Sequence, residues 1–199
     1  MKFSAADLVK KSASQILYFE LLKIQRQATP RQIQGNAYAD KITMKEEASS
    51  EKRGIISLEE DLLFFCIDMI KDNTYVEIKM VDNMNDYPDW YLHSSVLQST
   101  FYNTMLGKVK TLDTPKFRKK EGFKQEIIPV LEERTFELWF GEDKYEIFEN
   151  EDIYDHYQQK LKVISKSAKE ADFEEVRKWD SQFKFKEYEI FKPKFIKIV

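Results

Sequence analysis

Apolar residues recur at helical spacing near the start of the chain and at alternating spacing through its middle. Ile16, Leu17, Phe19, Leu21 and Leu22 mark a helix that begins at Ser12 or Ser14 and runs toward Gln27, with Ser4 capping a shorter helix before it. Ala28-Thr29-Pro30 interrupts the pattern, and a second helical stretch runs from about Arg31 to Glu47. A polar linker from Met44 ends at Gly54. Three strand-like runs follow: GIISL from Gly54, LLFFCIDMI from Leu62 to Ile70, and TYVEIKMV from Thr74 to Val81. Only Lys71-Asp72-Asn73 separates the last two, so they read as a hairpin. A helix from about Trp90 to Leu106 should stop at Gly107. Residues 126–131, EIIPVL, are short and apolar. Thr135–Glu149 predicts a second hairpin around Gly141-Glu142-Asp143-Lys144. Ile153 to about Lys169 carries Ile153, Tyr157, Leu161, Ile164 and Ala168 on one helical face. A shorter helix follows over 172–180, and strand-like alternation broken by Pro193 ends the chain. Helices, strands, a helix, more strands and a helix in this order predict an α/β domain with a central sheet. The 199 residues suffice for one domain. Its parts are a helical portion over about 1–50, a core over about 54–110, and an added hairpin with helices over about 125–199.

Composition narrows the chemistry. With one cysteine, Cys66, an intramolecular disulfide, a cysteine-held zinc and an iron–sulfur cluster are excluded within one chain. The opening residues have no apolar signal core, and no apolar run reaches spanning length, so a cytoplasmic protein without a membrane partner is expected. A net charge of −3 means that a nucleic-acid partner would need a local basic patch. The stretch Lys108–Lys124, with Lys116, Arg118, Lys119 and Lys120, is one candidate; a solvated loop is the other reading. No phosphate-cradling glycine loop or nucleophile elbow occurs. His93 and His156 read as surface or structural residues, and Cys66 as core.

The first hairpin carries unexpected charge. With the turn at Asp72-Asn73, Met69 faces Val76 and Asp68 faces Glu77, while Glu77 and Lys79 share a face. Opposed carboxylates destabilise a sheet unless something lies between them. A divalent cation with oxygen ligands is one such thing, and the set would then suit metal-assisted phosphodiester hydrolysis. A plain salt bridge from Lys79 to either acid is the alternative. Because 34% of the chain is charged, the Glu77-Ile78-Lys79 triplet is weak alone, and Glu142-Asp143-Lys144 repeats it in a turn. Gln98 and Tyr102 lie one helical turn apart and could meet a phosphate backbone or a base, or be ordinary boundary residues on an amphipathic helix.

In order, Asp68, Glu77-Ile78-Lys79 and Gln98-Ser99-Thr100-Phe101-Tyr102 resemble the PD-(D/E)xK nuclease superfamily, in particular its RecB-like branch of phage exonucleases and CRISPR-adaptation nucleases. The resemblance covers mainly Gly35 to Leu106. It implies a restriction-endonuclease-like mixed sheet flanked by helices and a site that needs Mg²⁺ or Mn²⁺. Asp68 and Glu77 would be metal ligands with the Ile78 carbonyl, Lys79 would assist the attacking water, and Gln98 and Tyr102 would shape the site or contact DNA. It further implies a DNA exonuclease of phage-type replication, recombination or repair; the alternative is an inactive DNA-binding or interaction module on the same fold. Two features depart from the branch. Ala39 stands where it often has a metal-binding histidine, leaving Asp40 as the candidate upstream ligand, with Glu46, Glu47 and Glu51 as alternatives. The cysteines of its iron–sulfur cluster are also absent.

Overall fold

The computed structural model describes residues 1–24, 28–48, 52–58, 61–81, 87–108 and 133–199. In chain order the elements are β1 (Lys2–Ser4), α1 (Ala5–Lys10), α2 (Ala13–Leu21), α3 (Pro30–Lys45), β2 (Lys52–Leu58), β3 (Asp61–Ile67), β4 (Met69–Lys71) and β5 (Thr74–Lys79). Then come α4 (Asp89–Gly107), β6 (Thr135–Phe140), β7 (Asp143–Ile147), α5 (Glu151–Glu170), α6 (Glu174–Phe183), α7 (Glu187–Phe191) and β8 (Phe195–Lys197). Among the described residues no helix is long and apolar enough to cross a membrane.

Side chains at the expected places start the helices. Ser4 accepts the Asp7 N–H to open α1, and Ser12 accepts the Gln15 N–H to open α2. Thr29 and Gln32 form a reciprocal capping box, with Pro30 in the first turn of α3, where its missing N–H costs nothing. Helix α2 ends at Leu21, short of the expected Gln27, and Lys23 soon turns left-handed at φ 50. Its N-terminus has a second acceptor from far along the chain: Asp180 of α6 takes the Ala13 and Ser14 N–H groups at 2.7 and 3.0 Å.

Strands form a mixed three-stranded sheet, β1-β3-β2, and a mixed five-stranded sheet, β4-β5-β6-β7-β8. The run Leu62–Ile70, expected as one strand, is split between them. Leu63, Phe65 and Ile67 are buried along β3; the chain then bends at Asp68 and enters the larger sheet as β4. Met69 and Ile70 are consecutive and point to opposite faces, each into its own apolar cluster. Asp68 is the one charged residue in the run, and a single acid is equally compatible with a straight or a divided strand, so the pattern did not distinguish the two. Strand β1, parallel to β3, was not expected.

Beyond the first hairpin, β5 and β6 pair in parallel, so a crossover is required, and α4 lies in it. Every residue of α4 from Ser95 to Leu106 is buried, in place of the expected single apolar stripe. The sheet covers one side, and α1, α5 and α7 cover the others. Two of the helix's buried polar side chains donate internally, Asn103 to the Ile147 carbonyl and Thr104 to that of Thr100, both at 2.9 Å, whereas the Ser99 and Thr100 hydroxyls have no partner among the described residues. On the opposite face of the larger sheet, Met69, Val76, Ile78 and Trp139 meet Tyr38, Ala39 and Ile42 of α3. The second hairpin turns at Gly141, whose φ of 63 suits glycine, and β7 begins at Asp143.

The C-terminal alternation forms a helical turn, α7, before the short β8. Three contacts override the local pattern. Glu187 approaches Lys160 at 3.9 Å, Tyr188 stacks on His93 with ring centroids 3.6 Å apart, and Phe191 packs on His156. His156 is buried among Tyr157, Trp179, Phe183 and Phe191, a structural place. Cys66 is half-buried on the intermediate face of β3. The segment 126–131 lies outside the described residues.

Candidate active site

The β4–β5 register is the expected one: Met69 opposite Val76, Ile70 opposite Tyr75, Lys71 opposite Thr74. Asp72 takes the left-handed conformation that closes this turn, at φ 52. One step further, Asp68 does not pair as a strand residue with Glu77. It stands at the break between the sheets, and its Oδ2 accepts the Ile78 N–H at 2.8 Å. The ladder has ended there, and the carboxylate replaces the missing strand as partner for that amide. The Ile78 carbonyl leaves β5 toward the same edge as its N–H, past the last paired residue of β4. The Ile78 side chain is buried in the α3-facing cluster.

Glu77 is 3% exposed and points away from that cluster, toward α4. Its Oε1 accepts from the Lys79 ammonium and from Gln98 Nε2, the latter at 2.7 Å. Its Oε2 is buried with no hydrogen-bond partner among the described residues. A buried carboxylate is costly unless paired, and Lys79 supplies the charge. Burial alone would depress the Lys79 pKa. The charges of Glu77 and Asp68 and the Glu77 hydrogen bond outweigh it, and the pKa rises from 10.5 to about 12. Lys79 is therefore an ammonium at neutral pH.

Gln98 and Tyr102 sit one turn apart on α4 as expected, but both are buried, not at a boundary with a cleft. Gln98 supports Glu77. The Tyr102 ring meets Phe65 edge-on at 6.0 Å, and burial, then the Glu77 charge, holds its hydroxyl neutral by pushing the pKa well above 10. Tyr91, not singled out in the sequence, packs with Tyr87 and Phe140 beside the site. Burial raises its pKa and the Lys79 charge opposes this, so it too is a neutral phenol.

The upstream acid does not join this group. Ala39 packs on the α3-facing side of the sheet, and Asp40 is exposed on α3. Glu46 is committed to Lys71 at 2.6 Å, and Glu47 is exposed. Among the described residues no cluster of three or more His, Cys, Asp or Glu is placed to hold a metal ion. Asp40 is thus not brought together with Asp68 and Glu77. Glu51, Lys116, Arg118, Lys119 and Lys120 lie outside the described residues.

What remains is a donor set of two carboxylates and a carbonyl edge. Mg²⁺ commonly takes one or two carboxylates and fills its remaining positions with water and phosphate oxygens, so this set suits a single such ion. The orphaned Glu77 oxygen is the atom that such an ion would satisfy. Burial, then the Lys79 charge, lowers the pKa of Lys10 at the end of α1 from 10.5 to about 7, while Glu77 and Asp68 oppose the fall.

No protein-family model matches this chain, and no curated protein matches it. The chain is similar to the crystal structure of SSO0001 at 14% sequence identity and a TM-score of 0.45, over 94% of this chain and 84% of that one.

Proposed function

We propose that this protein is a metal-dependent nuclease that hydrolyses phosphodiester bonds in DNA. One observation carries the reading: a buried glutamate, with one oxygen held by a lysine two residues on and the other unsatisfied, stands beside an aspartate anchored on the intervening amide. A structural salt bridge has no need of the second acid or of an orphaned oxygen. The mixed sheet with helices on both faces is consistent with the restriction-endonuclease-like arrangement that the sequence motifs imply.

Asp68, Glu77 and the Ile78 carbonyl would hold Mg²⁺ or Mn²⁺, which when bound lowers the pKa of a water and offsets phosphate charge. The chain's own residues do the rest. Asp68, fixed by the Ile78 amide, cannot swing away without losing that bond. Gln98 fixes the Glu77 carboxylate from behind and so sets the direction of Oε2. Lys79, charged at neutral pH, cannot take a proton; it orients a water or stabilises the charge that develops on the phosphate. Neutral Tyr91 and Tyr102 exclude water from the inner side without adding charge.

An exonuclease acting on phage-type DNA in a cytoplasm is the finer form of this proposal. A non-catalytic DNA-binding module is favoured by one observation, the lack of a third acid among the described residues. Incubation of labelled single- and double-stranded DNA with Mg²⁺, Mn²⁺ or EDTA separates the two. The nuclease reading expects metal-dependent cleavage that is lost in Asp68→Ala and Lys79→Ala proteins of confirmed fold. DNA binding without cleavage under any metal would favour the module.

A further inference from the structure

Lys79 is paired with Phe140 in the parallel β5–β6 ladder, and both side chains are on the α4 side of the sheet. Such a pair on neighbouring strands stands side by side. Phe140 belongs to a cluster of three rings. Tyr87 meets it edge-on with centroids 5.5 Å apart, Tyr91 meets it at 5.3 Å, and Tyr87 and Tyr91 are 5.0 Å from each other. Hydrogen bonds tie the cluster to the strand and to α3. The Tyr87 hydroxyl donates to the Met80 carbonyl, one residue past Lys79, at 3.2 Å, and accepts from the Arg31 guanidinium.

Trp90 extends this cluster toward solvent. Its ring meets Tyr91 edge-on, with centroids 5.9 Å apart at 82°, while 67% of the residue stays exposed. Single exposed apolar side chains are common and need no function. Trp90 differs in its place: it stands two ring contacts from the residue paired with Lys79. Two charges flank it. Arg31 is exposed and brings a positive charge to the same cluster, 5.9 Å from the Tyr87 ring centre. Asp89, exposed in the first turn of α4, sets a negative charge directly beside the indole in the chain, which favours a neutral group there over a phosphate. A nucleobase meets that requirement, because it is planar and neutral and stacks on an indole whatever its sequence.

We propose that Trp90 is a stacking platform for one base of a single-stranded nucleic acid, and so positions the strand relative to Asp68, Glu77 and Lys79. This rests on the nuclease reading for what the neighbouring site takes. Tyr91 holds the indole, and Tyr91 and Tyr87 are in turn held on Phe140 and the Met80 carbonyl, so the platform is fixed with respect to Lys79. Bases in a duplex already stack on one another, so the platform favours single strands and frayed ends. Stacking on a neutral ring releases no counterions, so its loss lowers affinity and leaves the salt dependence of binding as it was.

The test is fluorescence anisotropy with a labelled single-stranded oligonucleotide, with Ca²⁺ in place of Mg²⁺ and the DNA checked intact. A set of the same oligonucleotide with one abasic nucleotide at successive positions is measured beside it. Trp90→Ala, a change at an exposed side chain, is expected to bind about five-fold or more weakly, the lower end of one aromatic–base stack, with an unchanged slope of log K against log salt. Trp90→Phe should recover most of the affinity. The wild type should lose a similar factor at one abasic position, and Trp90→Ala should be indifferent to that position. Equal binding by wild type and Trp90→Ala overturns the proposal, even if both cleave DNA. Weaker binding by a Trp90→Ala protein that still responds to every abasic position as the wild type does is a structural effect, and also overturns it. The position-specific loss in a protein that never cleaves supports the platform and rejects the nuclease reading. No DNA binding by the wild type rejects both.

Discussion

Replacing Lys79 by Met removes the one ammonium paired with Glu77 and keeps most of the side chain's length. The rise of the Lys79 pKa from 10.5 to about 12 means that its neighbours favour the charged form by ~2 kcal/mol net of burial. Only 11% of the Lys79 side chain and 4% of that of Glu77 are exposed, so solvent screens the pair little. Breaking a buried pair from one side costs about 3–5 kcal/mol, because the remaining charge is stranded. Gln98 still donates to Glu77 in the variant, so a loss of about 2–4 kcal/mol is expected at pH 8. Urea unfolding followed by tryptophan fluorescence at pH 8 measures the loss. A deficit under ~1 kcal/mol, the size of an exposed pair, would refute the argument.

Two further outcomes follow from buried charge elsewhere. His156 has its pKa lowered from 6.5 to about 3 by burial, with the Lys160 charge adding to it. The unfolded chain therefore binds a proton that the folded protein refuses between those values, and stability should drop by a few kcal/mol as pH falls through that window. His156→Phe should flatten this part of a pH–Tm profile, and an unchanged profile would count against the buried neutral imidazole. Lys160→Met leaves the Leu8 and Lys11 carbonyls without their donor and should cost about 2–4 kcal/mol in denaturant titration; a loss below ~0.5 kcal/mol, ordinary for a surface change, would show that water replaces it.

Much of this arrangement was legible because its determinants are local. Asp72-Asn73 between two apolar runs set the hairpin register, which brought Glu77 and Lys79 to one face. Ser4, Ser12, Thr29-Pro30 and Gly107 marked helix ends within a residue or two. The illegible parts depend on distant contacts. Nothing near Asp68 signals that its strand leaves one sheet for another. Asp180 caps a helix 166 residues before it, and Lys160 clamps α1 from 149 residues away. Gln98 was seen as a boundary residue; burial of α4 on all sides makes it the internal support of Glu77. Asp40 was drawn toward the site by motif position alone, and α3 lies across the opposite face of the sheet.

The central claim is that Asp68 and Glu77 hold a divalent ion. Titration of Mn²⁺ into the protein, followed by the paramagnetic resonance signal of the free ion, tests it without requiring cleavage. The account predicts that the wild-type chain removes Mn²⁺ from solution, and that Asp68→Asn and Glu77→Gln, each folded, both lose this uptake. No uptake by the wild type, or uptake unchanged in both variants, would contradict it.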